Sequence, residues 1–141
     1  CHEDAEELLQ DVFLKAFRHL NRYKGECRFS TWIYRIAYNA AISATRKKKQ
    51  ELLYIEENTI NNVPDDVADS VLARAEDEEQ VDRLSRAIDQ LNGEEKALIT
   101  LFYYEEKSLE EIGEVLKISI SNVKVRLHRT RKKICVLMNN K

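Results

Sequence analysis

Only three glycines and one proline punctuate the 141 residues of this chain. Hairpins and sheets of short strands need many turns built on such residues, so their scarcity disfavours an all-β fold and leaves helices to carry the sequence. The length suits one compact domain or two small ones. Hydrophobic residues at 43% and charged residues at 34% describe a chain with modest cores and a well-solvated surface. No apolar run approaches the roughly 20 residues of a membrane span, and no signal-peptide pattern opens the chain. Three widely spaced cysteines (Cys1, Cys27, Cys135), with no CxxC pair, rule out a disulfide framework. With only three histidines beside them, they also argue against structural zinc. A reducing cytoplasm is the natural setting.

The formal net charge of −2 conceals a strong asymmetry. Residues 1–50 carry 10 Lys and Arg against 6 Asp and Glu, and residues 87–141 carry 10 against 8. The segment 51–86 between them carries 3 against 11, a net of −8. Two basic blocks around an acidic middle point to nucleic acid at the ends and to something else between.

Apolar spacing divides the chain further. Leu8, Leu9, Val12, Phe13, Ala16, Phe17 and Leu20 fall on one side of a first helix, the expected core side, with Glu7, Gln10, Asp11 and Leu14 on the other. After Gly25, Ser30 is placed to cap a second helix over 31–49, which ends in the cations Arg46, Lys47, Lys48 and Lys49, favourable at a helix C-terminus. Periodicity fades from Gln50 to about Asp66, around Pro64, and predicts a linker. A helix is expected from about Val67 to Leu91, its acidic first half solvated or only partly helical, and Asn92-Gly93 stops it. Three helices follow, over 94–104, over 109–116 behind a capping box at Ser108-Leu-Glu-Glu111, and from Ile120 to about Met138.

The last two have the length and turn of a helix-turn-helix, with Gly113 small enough for close approach and Ile118 as an anchor in the turn. In the final helix, Val123, Leu127, Thr130 and Ile134 share the core face. Ser121, Lys124, Val125, His128, Arg129 and Lys132 oppose them, offering donors for guanine edges or phosphates and an apolar contact for a thymine methyl. Ser121 and Asn122, in the first turn, sit where side chains and free amides hold a phosphate. The competing interpretation is a merely solvated charged face. His128 has no second His or Cys at ligand spacing, which favours a groove contact over a metal.

The second helix carries a different pattern. Ile33, Ile36, Ala37, Ala40, Ala41 and Ala44 form its core face, the alanines allowing close packing on the first helix. Trp32, Tyr34, Arg35, Tyr38, Asn39, Ile42 and Arg46 lie away from it. Rings interleaved with Arg and an amide suit single-stranded nucleic acid, where stacking is worth roughly 1–3 kcal/mol per base and Arg follows the backbone. Packing of Tyr34 and Tyr38 on a neighbouring element is the alternative, and Trp32 is the ring of the set best suited to a core.

Three stretches, Asp4-Ala-Glu-Glu-Leu-Leu-Gln-Asp-Val-Phe13, Tyr23-Lys-Gly-Glu26 and Ser30-Thr-Trp-Ile-Tyr-Arg-Ile-Ala-Tyr-Asn39, resemble region two of bacterial RNA polymerase sigma factors of the extracytoplasmic-function class. Leu91-Asn-Gly-Glu-Glu95, Leu109-Glu-Glu-Ile112 and Val123-Lys-Val-Arg-Leu-His-Arg-Thr-Arg131 resemble region four. The resemblance implies an all-α protein of two small helical domains joined by an acidic linker, the C-terminal one a helix-turn-helix. Region two would span 1–50, the linker 51–66 and region four 67–141. Residues Glu7, Gln10, Asp11 and Leu14 would dock on core RNA polymerase. Trp32, Tyr34, Arg35, Tyr38, Asn39 and Arg46, with the loop Tyr23–Arg28, would take the −10 element around a flipped base. Ser121, Asn122, Lys124, Val125, His128 and Arg129 would meet the −35 element. An anti-sigma factor is the further partner implied, and the acidic linker would thread polymerase channels. The chain opens without Met and inside region two, so the resemblance implies that about one helix is missing before Cys1. The turn Ser119-Ile-Ser-Asn122 departs from the Pro and Gly-Thr pair frequent in the family.

No nucleophile with its base, phosphate-cradling glycine loop or metal cluster stands out, so neither an enzyme, a cofactor nor a small-molecule substrate is expected. Two other readings stay open on the residues alone. One is an ordinary helix-turn-helix regulator acting without polymerase, and the other is a helical protein-interaction module.

Overall fold

Acidic Glu3 and Asp4 in its first turn and Lys15 and Arg18 in its last match the dipole of the opening helix, α1 (His2–Arg18). The protein is described here from a computed structural model covering residues 2–47, 55–73 and 76–139, and its regular elements there are all helical. A 3-10 turn (Leu20–Arg22) and a loop through Gly25, whose φ of +74° belongs to the left-handed region, lead into α2 (Phe29–Lys47). The helix begins two residues before the expected start, because the Trp32 amide already bonds the Arg28 carbonyl at 3.1 Å, so Ser30 lies inside the first turn and is not the cap. Residues 48 and 49, and the side chain of Arg46, lie outside the described residues, as does Cys1.

The expected core side of α1 is corrected by the structure. Only Val12 and Ala16 are buried, while Phe13, Phe17, Leu9 and Leu20 are exposed. The reason is the partner. α1 packs on α2, which carries small side chains, among them the buried Ala40, 6% exposed.

The linker expected up to about Asp66 holds the short helix α3 (Glu57–Asn61) and the start of α4 (Asp65–Ser70), whose remaining residues fall in the helix expected from Val67, with Pro64 at the N-cap of α4. Ile60 and Ala68 are buried against α8, and Val71 joins the C-terminal core. The single helix expected over 67–91 is broken. Asp77 prefers the cap to a helix interior: its carboxylate accepts from the Gln80 amide at 2.8 Å and starts α5 (Glu78–Asp89) afresh.

From there the reading of helices holds closely. Asn92 and Glu95 form a complete capping box for α6 (Gly93–Ile99), each side chain accepting the other's backbone N–H, at 2.9 and 3.0 Å. A π-helical turn (Thr100–Tyr104) continues it. At α7 (Leu109–Leu116), the Ser108 hydroxyl accepts from the Glu111 amide and donates to the Glu111 carboxylate, each at 3.1 Å, and the Ser108 backbone also faces that carboxylate and helps to lower its pKa. Lys117 ends α7 in the left-handed conformation, and α8 (Ile120–Asn139) follows. A Cβ on Gly113 would come within 2.8 Å of the Ile118 carbonyl oxygen, so the tight turn requires glycine there. The expected core stripe of α8 is fully buried, with Val123, Leu127, Thr130 and Ile134 each no more than 2% exposed. α8 is the hub of the molecule, packed by α3, α4, α5, α6 and α7, while α2 packs on α6 and α7. No helix among the described residues is long and apolar enough to cross a membrane.

Candidate nucleic-acid interface

Two helices carry the candidate DNA contacts, and each already has an intramolecular partner. On α2, Trp32 joins Tyr23 and Phe29 in an aromatic cluster, with ring centroids 5.3 to 5.6 Å apart. The Tyr23 hydroxyl donates to the Cys27 carbonyl at 2.6 Å and closes the loop. Between this loop and α2 lies a cavity of about 280 Å³ lined by Arg22, Tyr23, Lys24, Glu26, Cys27, Trp32, Arg35 and Glu114. Trp32 and Arg35 therefore meet the loop named with them, whereas Asn39 is exposed further along the helix and outside the lining.

The contribution of Glu114 shows what closes the cavity: Arg35 Nε donates to its backbone carbonyl at 3.0 Å, from α7. Further contacts tie α2 to the C-terminal half. Tyr34 donates to Glu105 at 2.8 Å, Thr31 donates to Glu111 at 3.5 Å, and the Lys107 ammonium sits 5.3 Å from the Tyr34 ring centroid. Burial first, and then the bond to Glu105, push the Tyr34 hydroxyl above its ordinary pKa. Tyr34 and Tyr38 pack against the C-terminal core, so in this arrangement they lie on a neighbouring element, as the alternative interpretation had it, and are not open stacking platforms.

On α8 the candidate residues separate along the helix. Ser121, Asn122, Lys124 and Val125 are exposed, Val125 by 66%. One turn further on, every candidate faces a carboxylate. Arg129 is held bidentately by Glu57 at 2.7 and 2.9 Å and reaches Glu95 at 3.3 Å. His128 Nε2 lies 3.0 Å from Asp65 and Nδ1 3.7 Å from Asp69, while Lys132 reaches Asp65 at 3.1 Å. The bond from Arg129 holds the Glu57 carboxyl below its usual range and raises Arg129 in turn. Lys132 first, and then His128, do the same to Asp65. Other cations of this helix hold the fold: Lys133 meets the buried Glu95 at 2.8 Å, Arg126 pairs with Glu94, and Arg131 lies over Phe102 and Tyr103.

The polymerase-docking candidates Glu7, Gln10, Asp11 and Leu14 are all exposed on α1, Leu14 by 55%. The acidic partners Glu57, Asp65 and Asp69 are absent from the residues singled out in the sequence, while Glu95 figures there only as the end of the Leu91–Glu95 stretch. The one signal for them was the charge of the segment 51–86 opposite a basic helix.

Comparison with known proteins fits this layout. The family model for sigma-70 region 2 matches residues 1–51, and that for sigma-70 region 4 matches residues 82–134. The ECF RNA polymerase sigma factor SigW of Bacillus subtilis is 36% identical, the match covering 91% of this chain and 72% of SigW. The chain belongs to the extracytoplasmic-function RNA polymerase sigma factors. The ECF RNA polymerase sigma factor SigM of Bacillus subtilis is 29% identical over 96% of the chain and 80% of SigM, and the RNA polymerase sigma factor CarQ of Myxococcus xanthus is 34% identical over 95% and 74%. The sigma factor RpoE of Bartonella quintana, crystallised in complex with the anti-sigma factor NepR, shares the fold at a TM-score of 0.66 and 22% identity, covering 96% of this chain and 81% of that one. Family membership disfavours the two other readings, an independent regulator and an interaction module.

Proposed function

We propose that this sigma factor brings core RNA polymerase to promoters by docking through α1, opening the −10 element on α2 and reading the −35 element with α8. Residues 1–50 form the region-two unit, 51–66 the linker and 67–141 the region-four unit. The observation that carries the proposal is α8 itself. Its core stripe is sealed beneath, and Ser121, Asn122, Lys124 and Val125 project from the far side at the N-terminal end, behind a capped short helix and a tight turn. That is the placement a major-groove reader needs. His128 and Arg129 extend the same face, and the C-terminal end of α8 supplies stability through Glu95.

The cavity beside Trp32 and Arg35 would take a flipped −10 base, with Asn39 and Arg46 further along α2 and with Tyr34 and Tyr38 available to the single strand once α2 parts from the C-terminal core. Glu7, Gln10, Asp11 and Leu14 present a polar, solvent-open face to the polymerase. Promoter selection is the whole of the activity: the protein has no catalysis of its own and works in the cytoplasm, where polymerase and genome are. An anti-sigma factor is a partner in keeping with the complex in which RpoE was crystallised.

Gel filtration with bacterial core RNA polymerase tests the first step. The chain comigrates with polymerase, and Gln10→Ala with Asp11→Ala abolishes this. Comigration unaffected by that double change would remove α1 from the docking site. Asn39→Ala then loses discrimination at the −10 element while still comigrating, and unchanged preference at every −10 position would remove Asn39.

A further inference from the structure

The acidic segment lies on the basic side of the helix that would read DNA. Glu57 grips Arg129 with both carboxylate oxygens, in the geometry with which an Arg fork takes a phosphate. Asp65 stands between His128 and Lys132, and Asp69 faces His128 and Arg131. Beneath these pairs, Ile60 and Ala68 are apolar pegs, 1% and 0% exposed, that seat α3 and α4 against α8. The pegs set the register, and the carboxylates then meet the cations.

We propose that α3–α4 is an internal competitor for DNA, placing Glu57, Asp65 and Asp69 where phosphates would lie along Arg129, His128 and Lys132, so that the free chain holds this part of its reading face closed. The inference rests on the assignment of α8 as the DNA-reading helix. The carboxylates are largely exposed, and exposed ion pairs are individually weak and screened by salt. The ion pairs are therefore the part of the cover that DNA displaces first, and full release also unseats the buried Ile60 and Ala68 from α8. Being part of the same chain, the segment acts at a high effective concentration and needs little affinity per contact. The lowered carboxyl pKa values of Glu57 and Asp65 accord with carboxylates that stay charged in place. Lys124 and Val125, left exposed, provide a first foothold from which DNA would peel the segment away.

The test is fluorescence anisotropy with a short labelled DNA duplex of random sequence at low salt, which reads the phosphate-driven part of binding. The variant Glu57→Gln, Asp65→Asn, Asp69→Asn is expected to bind about tenfold more tightly than the unaltered chain, as for a reading face open only about a tenth of the time. A control with the same change of charge on α5 (Glu78→Gln, Glu79→Gln, Asp82→Asn) binds much less tightly than that variant, and Lys124→Ala weakens binding in every background. An equal gain from the control overturns the proposal, because net charge alone then explains it. No gain from the first variant, with Lys124→Ala still weakening binding, overturns the competitor and leaves α8 as the reader. Indifference of all variants to Lys124→Ala overturns both. A second measurement needs no substitution: hydrogen exchange of residues 57–70 rises when the unaltered chain is saturated with the same duplex. Protection unchanged or increased there also overturns the proposal.

Discussion

Along α2 the cover over the candidate DNA contacts is mainly apolar and neutral. Tyr34 and Tyr38 lie on the C-terminal core, and Arg35 is held by a backbone carbonyl of α7. Along α8 the contacts to the candidate side chains are ionic, from acidic side chains on two helices of five and six residues that Ile60 and Ala68 seat from beneath. Apolar burial responds little to salt, whereas exposed charge pairs weaken as ionic strength rises. The ion pairs over α8 can therefore be weakened while the packing of α2 stays in place. The contrast extends beneath them: α8 rests on a continuous core, while α1 and α2 share a thin one.

The strongest test of that contrast is truncation. Ile134→Ala, at a position with no exposure, lowers stability by about 2–5 kcal/mol, while Phe17→Ala, at 82% exposure, stays within about 0.5 kcal/mol. Urea denaturation of the two variants measures both, and a comparable loss at Phe17 would show that α1 is packed more deeply than described. Glu95 is next. It caps α6 and pairs with Lys133 and Arg129, so Glu95→Ala removes a cap and leaves a mostly buried ammonium without its carboxylate. The expected cost is about 2–3 kcal/mol, discounted because Arg129 is partly exposed. Glu95→Gln keeps the cap acceptor and recovers part of it. No difference between the two would assign the whole effect to the ion pairs.

Gly113→Ala sharpens the comparison at the turn between α7 and α8. The added methyl meets backbone, not a movable side chain, so the turn must open at a cost of about 1–3 kcal/mol. Thermal melting checks it, and an unchanged midpoint would mean that the turn has slack.

What was legible beforehand follows the same division. The stripe Val123, Leu127, Thr130, Ile134 was read as buried and is, because a long helix repeats its period often enough to mark one face. The same logic misassigned Phe13 and Phe17, since periodicity shows which face is apolar and not whether a partner covers it. α3 falls wholly in the expected linker, because five residues hold too little of a helical period to stand out from a polar segment, and α4 starts two residues ahead of the helix expected from Val67. Their destination was partly written in charge, but pairing Glu57 with Arg129 requires two segments 72 residues apart to be brought together. The resemblance groups Trp32, Arg35 and Asn39 with the Tyr23–Arg28 loop, and the cavity brings the first two to that loop but not Asn39, while the arrival of Glu114 from α7 has no local signal.

The subtlest difference between the two faces is their response to pH. Glu57 and Asp65 have folded-state pKa values below their ordinary ones, through Arg129 and through Lys132 with His128. Their contribution is therefore complete above the ordinary carboxyl range near about pH 4 and disappears as pH falls through the lower folded values. Tyr34 is the mirror case. Its hydroxyl pKa is raised by burial and by donation to Glu105, so its contribution is complete below its ordinary value near about 10 and is lost as pH rises through the folded one. Acid should loosen α3–α4 from α8 while the Tyr34 contact persists, and alkali should do the reverse. Amide chemical shifts of Ile60 and Ala68, followed by NMR beside the ring resonances of Tyr34, separate the two. Movement of both sets in the same pH range would mean that the covers open as one unit, and the division between an ionic and an apolar closure would fall.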